Sequence, residues 1–367
     1  MSDTIINEYQ QKLGALIDPY AGTTWSALGV QSEVSQSVQG VVSISLTFPY
    51  PIEGQRAAIL ARVALVAPGA AVSLKSHVFA IKPQESVHRL PAIKNIIVVS
   101  AGKGGVGKST LATNLAVCLQ AEGATVGLLD ADIYGPSQPL MLNSGGRAQV
   151  SGGRFQPIMR YGLATMSIGY LLEPTTATVW RGPMATGAMM QLLQQTDWPA
   201  CDYLIMDMPP GTGDIPLTMA QKIPVSGAVL ISTPQQVACA DVRKGYEMFE
   251  KLKIRTLGIV ENMSGYTCPA CGHDDPIFGT SSHVPAMAEA LGLPLLGQIP
   301  LKRDIQACAD QGMPLLLASS DAAVISCFQD LARRVAARLA MQPRDYALAT
   351  PIVTSVNSKQ EQKPHEH

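Results

Sequence analysis

Gly102-Lys103-Gly104-Gly105-Val106-Gly107-Lys108-Ser109-Thr110 stands directly after the apolar run 96–99, Ile-Ile-Val-Val. Its spacing is that of the phosphate loop, G-x-x-x-x-G-K-[ST], a motif that requires a strand before it and a helix after it. The glycines let backbone N–H groups turn inward around phosphate oxygens. The following helix, expected over 109–122, adds the positive end of its dipole. Lys108 is expected to neutralise β and γ oxygens, and the Ser109 hydroxyl to hold Mg²⁺.

Working outward, two acidic strand ends belong to the same site. Leu128-Leu129-Asp130-Ala131-Asp132 closes one apolar run and Tyr203-Leu204-Ile205-Met206-Asp207 closes another. Both deliver carboxylates to the C-terminal edge of an α/β sheet, where such sheets bind ligands. Asp207 is read as the acid linked to Mg²⁺, Asp132 as the group that orients the attacking water, and Asp130 as the anchor of its loop. The glycines of Pro209-Pro210-Gly211-Thr212-Gly213 would let that segment move with the γ-phosphate.

Further short apolar runs at 126–129, 204–206, 228–231, 257–260 and 295–296 look like strands buried on both faces, with room between them for crossover helices. This predicts one α/β domain over 91–345, a P-loop NTPase with a mostly parallel sheet flanked by helices. Its last helix, 321–340, puts Val324, Phe328, Leu331, Val335 and Leu339 on one face. Residues 1–90 have a different rhythm. Leu13, Leu16 and Ile17 suit a helix ending at Asp18-Pro19. Val42, Ile44, Leu46 and Phe48 alternate with hydroxyl residues as in a half-buried strand, 53–66 reads as a helix, and 72–78 alternates again. A small α+β domain is expected, joined by a Pro-containing linker at 82–94. The segment 346–367 ends SKQEQKPHEH and is expected to be a disordered polar tail.

Composition narrows the function. The 367 residues are 47% hydrophobic and 15% charged, and 27 Lys plus Arg against 28 Asp plus Glu give a net charge of -1. That balance argues against a protein built to neutralise nucleic-acid phosphates. The longest apolar stretch, 57–74, is broken by Arg62 and Pro68-Gly69, and the start is polar, so neither a membrane span nor a signal peptide is expected. A cytoplasmic protein is implied.

Of seven cysteines, only Cys268 and Cys271 are spaced as a C-x-x-C pair. Such a pair is half of a zinc site, a redox pair, or half of an iron–sulfur site. His273 and Asp274 could complete a zinc site within one chain. Alternatively, a twofold dimer presents the pair twice, and four thiolates suit a [4Fe–4S] cluster on the axis. The other five cysteines read as small buried hydrophobes.

The run KGGVGKS resembles the deviant Walker A loop of dimeric ATPases, in which the first lysine, here Lys103, reaches the partner's nucleotide. With KGGVGKST come LLDADIYGPSQPLML, WRGPM at 180–184, DMPPGTGDIPLT at 207–218, ENMSGYTCPACG at 261–272 and PIFG at 276–279, all in order. Together, over about 95–340, they closely resemble the Mrp/ApbC iron–sulfur cluster carriers. The resemblance implies ATP hydrolysis by a homodimer that holds a [4Fe–4S] cluster and hands it to apoproteins, working with cluster assembly factors. By position it implies nucleotide contacts from Gly102 through Thr110, with Lys103, Lys108 and Asp132 in catalysis. It further implies Mg²⁺ at Ser109 and Asp207, cluster thiolates at Cys268 and Cys271, and a contact to the base from Asn262. Residues 1–90 resemble the MIP18-type module often fused ahead of these ATPases, although no cysteine precedes Cys118. Rival readings are a partitioning ATPase, a zinc-stabilised nucleotide switch, and a scaffold that binds ATP without turnover. A partitioning ATPase would need an amphipathic tail or a basic face.

Overall fold

The computed structural model describes residues 3–37, 41–82, 87, 89–171, 182–268, 270–279 and 282–345, without the side chains of 3–5 and 274. Trp180 and Arg181 of the WRGPM motif, Pro269 of the cysteine pair and the expected tail at 346–367 lie outside them.

The N-terminal module runs α1 (Asp3–Gly14), α2 (Trp25–Leu28), β1 (Gln31–Gln36), β2 (Val42–Phe48), α3 (Arg56–Val66) and β3 (Ala71–Ser76). β2 lies between antiparallel β1 and parallel β3. Ile44, Leu46 and Phe48 are buried, as the alternation predicts. The strand β1 is the one the sequence reading does not locate, because QSEVSQ contains a single apolar residue and lies on the sheet edge. The first helix also stops earlier than predicted, at Gly14, and Ile17 is 53% exposed. Asp18 is the reason. Its carboxylate accepts from Tyr20 N (2.9 Å), Ala21 N (2.8 Å) and Tyr50 Oη (2.7 Å), a local turn that competes with helix.

The second unit opens with β4 (Ile93–Ala101), α4 (Lys108–Ala121), β5 (Val126–Asp130) and α5 (Gln138–Met141). A small hairpin, β6 (Val150–Ser151) and β7 (Arg154–Phe155), precedes β8 (Ile158–Arg160) and β9 (Leu163–Ser167). Then come α6 (Gly182–Gln195), β10 (Cys201–Asp207), α7 (Asp214–Lys222), β11 (Val225–Ser232), α8 (Gln236–Lys251) and β12 (Thr256–Asn262). A second hairpin, β13 (Tyr266–Thr267) and β14 (Asp274–Asp275), leads to α9 (His283–Ala290), β15 (Leu295–Ile299), α10 (Arg303–Asp310), α11 (Leu315–Ala318) and α12 (Ala322–Ala340).

Eight strands form one sheet in the order β15-β12-β11-β4-β10-β5-β9-β8. All neighbours are parallel except β8 and β9 at the edge, a pair the sequence reading does not place. β4 is buried on both faces. Ile97 and Val99 pack with Leu115 of α4 and Phe328 of α12, whereas Val98 packs with Leu192 of α6 and Phe249 of α8. The five apolar positions predicted for the last helix are all buried, and Asp321 caps it by accepting from Ala323 N and Val324 N.

The two units share one hydrophobic cluster, in which Trp25 and Phe48 join Leu119 and Val335. Toward the end of the expected linker, Ile93 already belongs to β4, and Arg89 Nε meets Asp345 Oδ2 at 2.8 Å. At the centre of the junction is Glu122, just past α4 and 3% exposed. Its carboxylate accepts from Arg333 Nε (2.7 Å) and Nη2 (2.6 Å) and from Gly54 N (3.0 Å). An anion at a helix C-terminus opposes the helix dipole, so the arginine is what holds it there. Arg333→Leu should therefore lower stability by about 3–5 kcal/mol by stranding a buried carboxylate. Adding Glu122→Leu should recover most of that loss in urea unfolding; a single-variant cost below about 1 kcal/mol would place the pair among weak surface contacts.

Candidate nucleotide and cysteine sites

Because β4 sits mid-sheet, its C-terminal loop opens beside β10 and, one strand further on, β5, both of which end in the site. Asp207 of β10 pairs with both Val99 of β4 and Asp130 of β5. Beyond β4 the chain turns through Gly105 (φ 80°) and Gly107 (φ 90°), left-handed conformations that strain any residue with a Cβ. No atom lies within 4 Å of where a Cβ would stand at Gly104 or Gly105, which leaves an open cradle lined by backbone. At Gly107 a Cβ would strike the Asn262 side chain, whose Nδ2 donates to Val106 O at 2.8 Å. Asn262 therefore braces the loop from the end of β12.

Lys108 is the first residue of α4 and is buried. Its ammonium is ion-paired with Asp207 Oδ1, lies 3.7 Å from Asp132 Oδ2 and 3.5 Å from Ser109 Oγ. The structure thus brings together Lys108, Ser109, Asp132 and Asp207. Asp130 has the predicted anchoring contacts: Oδ1 accepts from Asp132 N (3.2 Å), and Oδ2 accepts from Ser137 N (3.0 Å), Gln138 N (3.1 Å) and Ser167 Oγ (3.0 Å). Burial and then the Asp207 charge push the Asp130 carboxyl up to about 7, against the Gln138 amide and Lys108. Burial also raises Asp132, with Lys108 opposing.

Ser109 and Asp207 offer a hydroxyl and a carboxylate, the hard oxygen donors that suit Mg²⁺. Lys103 is half-buried and has no ion-pair partner among the described residues. One functional side chain was not anticipated. Gln138, at the start of α5 and 1% exposed, donates through Nε2 to Asp207 Oδ2 at 2.9 Å. A cavity of about 1010 Å³ lies beside α5 between Ser144, Arg147, Tyr170 and Gln311, and no phosphate-loop residue lines it. Motif geometry, not cavity size, locates this site.

Cys268 and Cys271 sit at the turn of the β13–β14 hairpin, a feature not visible from the spacing alone. Cys268 N donates to His273 O and Gly272 N donates to Cys268 O, each at 2.8 Å. This knuckle leaves Cys268 half-buried and Cys271 exposed. Backbone N–H groups of Ala270 and then Cys271 hold the Cys268 thiol below its ordinary value, which favours the thiolate. Among the described residues no group of three His, Cys, Asp or Glu side chains converges, so His273 does not join the pair. The Asp274 side chain lies outside the description. The other five cysteines are separate; Cys118, Cys201, Cys239 and Cys308 are buried, and Cys327 is half-buried.

Comparison with known proteins identifies the family. The family model for the NUBPL iron-transfer P-loop NTPase matches residues 92–336. An iron–sulfur cluster carrier protein of Escherichia coli is 51% identical over 271 residues, 73% of each chain. The mouse iron–sulfur cluster transfer protein NUBPL is 44% identical over 257 residues, 69% of this chain and 80% of its own. Among solved structures, a nucleotide-binding protein from Archaeoglobus fulgidus in complex with ADP is 39% identical with a TM-score of 0.55, covering 61% of this chain and 88% of that one. The cell division ATPase MinD of Pyrococcus furiosus, 20% identical with a TM-score of 0.51 over 66% of this chain and 98% of its own, shares the fold. With the loop, both acids and the cysteine hairpin all inside the matched span, the chain belongs to the NUBPL iron-transfer P-loop NTPase family.

Proposed function

We propose that this chain is a cytoplasmic, ATP-hydrolysing carrier that holds a [4Fe–4S] cluster between two copies of itself and passes it to apoproteins. The names of the relatives support cluster carriage, and the relative solved with ADP supports nucleotide binding. One observation carries the link between the two activities. Asn262 touches the phosphate loop at Val106 O and ends β12, and Cys268 follows six positions later in the same segment. A change at the loop thus reaches the thiolates through one hydrogen bond and six residues of chain, a short physical path by which the two sites could be coupled.

Lys108 is paired with Asp207. With ATP in the cradle the ammonium would have a triphosphate to neutralise, Ser109 and Asp207 would hold Mg²⁺, and Asp132 would orient the water that attacks the γ-phosphorus. Mg²⁺, when bound, offsets negative charge on the phosphate oxygens. Lys103, with no partner in its own chain among the described residues, is the cation assigned to the partner's nucleotide. Lys103→Ala should slow hydrolysis on the order of a thousandfold, as loss of a trans-acting cation does elsewhere. Heterodimers pairing Lys103→Ala with Asp132→Asn subunits should regain phosphate release at one composite site; no recovery in verified heterodimers would refute action in trans.

Two thiolates per chain are half a cluster's ligands, so the cluster is cargo shared by the dimer. We assign 1–90 as a docking module of MIP18 type fused to an ATPase unit over 91–345, followed by a polar tail. Anaerobic reconstitution with iron and sulfide tests the whole reading. About four irons and four sulfides per dimer are expected; one zinc per chain with no iron uptake would establish the zinc-stabilised switch instead. No helix among the described residues is long and apolar enough to cross a membrane.

A further inference from the structure

Gln138 is buried where three parts of the nucleotide site meet. Its Nε2 donates to Asp207 Oδ2 (2.9 Å) and to the Ser109 carbonyl (3.2 Å), and its Oε1 accepts from Thr113 Oγ1 (2.6 Å). Its own backbone N–H donates to Asp130 Oδ2 at 3.1 Å. A carboxylate and a carbonyl only accept, so the amide nitrogen must face them and the carboxamide orientation is determined. Ser109 and Thr113 lie on the first turns of α4, Asp207 ends β10, and Gln138 closes the loop that carries Asp132. One side chain therefore links the phosphate-loop helix, the Mg²⁺-linked acid and the loop of the water-orienting acid.

We propose that Gln138 is a positioning residue for the metal half of the site. By engaging Asp207 Oδ2 it leaves Oδ1, the oxygen paired with Lys108, as the one that would be available to Mg²⁺. Asp207 is fully buried, so the Gln138 donor decides which of its oxygens is engaged, whereas an apolar side chain of similar volume would leave Oδ2 unpaired. The inference rests on the ATPase reading above, and its test separates the two.

The test titrates a fluorescent ADP into the full-length protein with and without Mg²⁺, alongside steady-state ATP turnover. Gln138→Met should bind ADP as the wild type does when Mg²⁺ is absent. It should lose about tenfold of the tightening that Mg²⁺ brings and lower kcat by a similar factor, the scale of one hydrogen bond to a charged group. Thr113→Val, which removes the hydroxyl that orients the carboxamide, should lose roughly threefold in the same measurement. A Mg²⁺ increment equal to wild type in Gln138→Met would overturn the proposal, as would equal losses with and without Mg²⁺, which mark a general support of the loop. If Gln138→Met does not fold, an unchanged increment in Thr113→Val overturns it. Wild-type protein that binds no ADP in either condition would instead overturn the ATPase reading itself.

Discussion

Lys108→Ala is expected to abolish productive nucleotide binding, with ATP affinity falling by at least about a hundredfold and phosphate release lost. Two effects act together. The cradle loses the cation that offsets the β and γ oxygens, and Asp207, a carboxylate with no exposure at all, loses its cationic partner. Removing one member of a buried ion pair costs about 3–5 kcal/mol, so the variant should also be destabilised without nucleotide. The pH dependence carries a sign that can be worked out. Asp130 is held near 7 with Lys108 among the groups opposing its rise, so loss of the lysine raises it further. A carboxyl whose folded value exceeds its unfolded value binds more protons in the native state, and stability then falls as pH rises. Relative to wild type, the Lys108→Ala variant should thus lose additional Tm above about pH 7, where wild-type Asp130 has released its proton and the variant's has not. Wild-type affinity and turnover in the folded variant would remove Lys108 from the site, and a parallel pH profile would remove it from the acidic cluster.

What could be read in advance was whatever the chain encodes locally. Six apolar runs marked six parallel strands because both faces of each are covered, and β4 shows this directly, with Ile97 and Val98 in separate clusters. The loop from Gly102 to Thr110 and the acids Asp130, Asp132 and Asp207 were legible because phosphate chemistry demands those residue types at strand ends. What could not be read depends on partners remote in sequence. Gln138 in SQP looks like a solvated loop residue until Asp207, 69 positions on, arrives beside it. Glu122 looks like an ordinary helix-end acid until Arg333, 211 positions away, clamps it to the N-terminal module. The polar edge strand β1 and the three-residue edge strand β8 carry little periodicity, so their pairing is decided by the sheet they join. Asp18 shows the converse, a local hydrogen-bonding turn that overrode the helical spacing of Leu13, Leu16 and Ile17.

Cys268→Ala and Cys271→Ala should each abolish cluster binding while leaving ATP binding intact. The hairpin supplies a thiolate-ready Cys268, held low by the Ala270 and Cys271 amides, beside an exposed Cys271 that a second copy can approach. Among the described residues no further His, Cys, Asp or Glu joins them, so a single chain falls short of the four ligands that either a [4Fe–4S] cluster or a structural zinc requires. Removing one cysteine per chain leaves two thiolates per dimer for four irons, below what holds a cluster. Both variants should emerge from anaerobic reconstitution without bound iron and sulfide and fail to activate an apoprotein. Nucleotide affinity should stay within about threefold of wild type, because the loop, Lys108 and the acids are untouched. Position on the hairpin also gives the two readings opposite stability signatures. A structural zinc would be part of the folding free energy, so either substitution would unfold the hairpin and lower Tm in the metal-loaded chain. Cargo held at an exposed turn is not part of the fold, so Tm measured after metal removal should be the same in wild type and both variants. Full iron and sulfide content in either single variant, or ADP affinity that falls along with the cluster, would refute the assignment of these two thiolates as the carrier site.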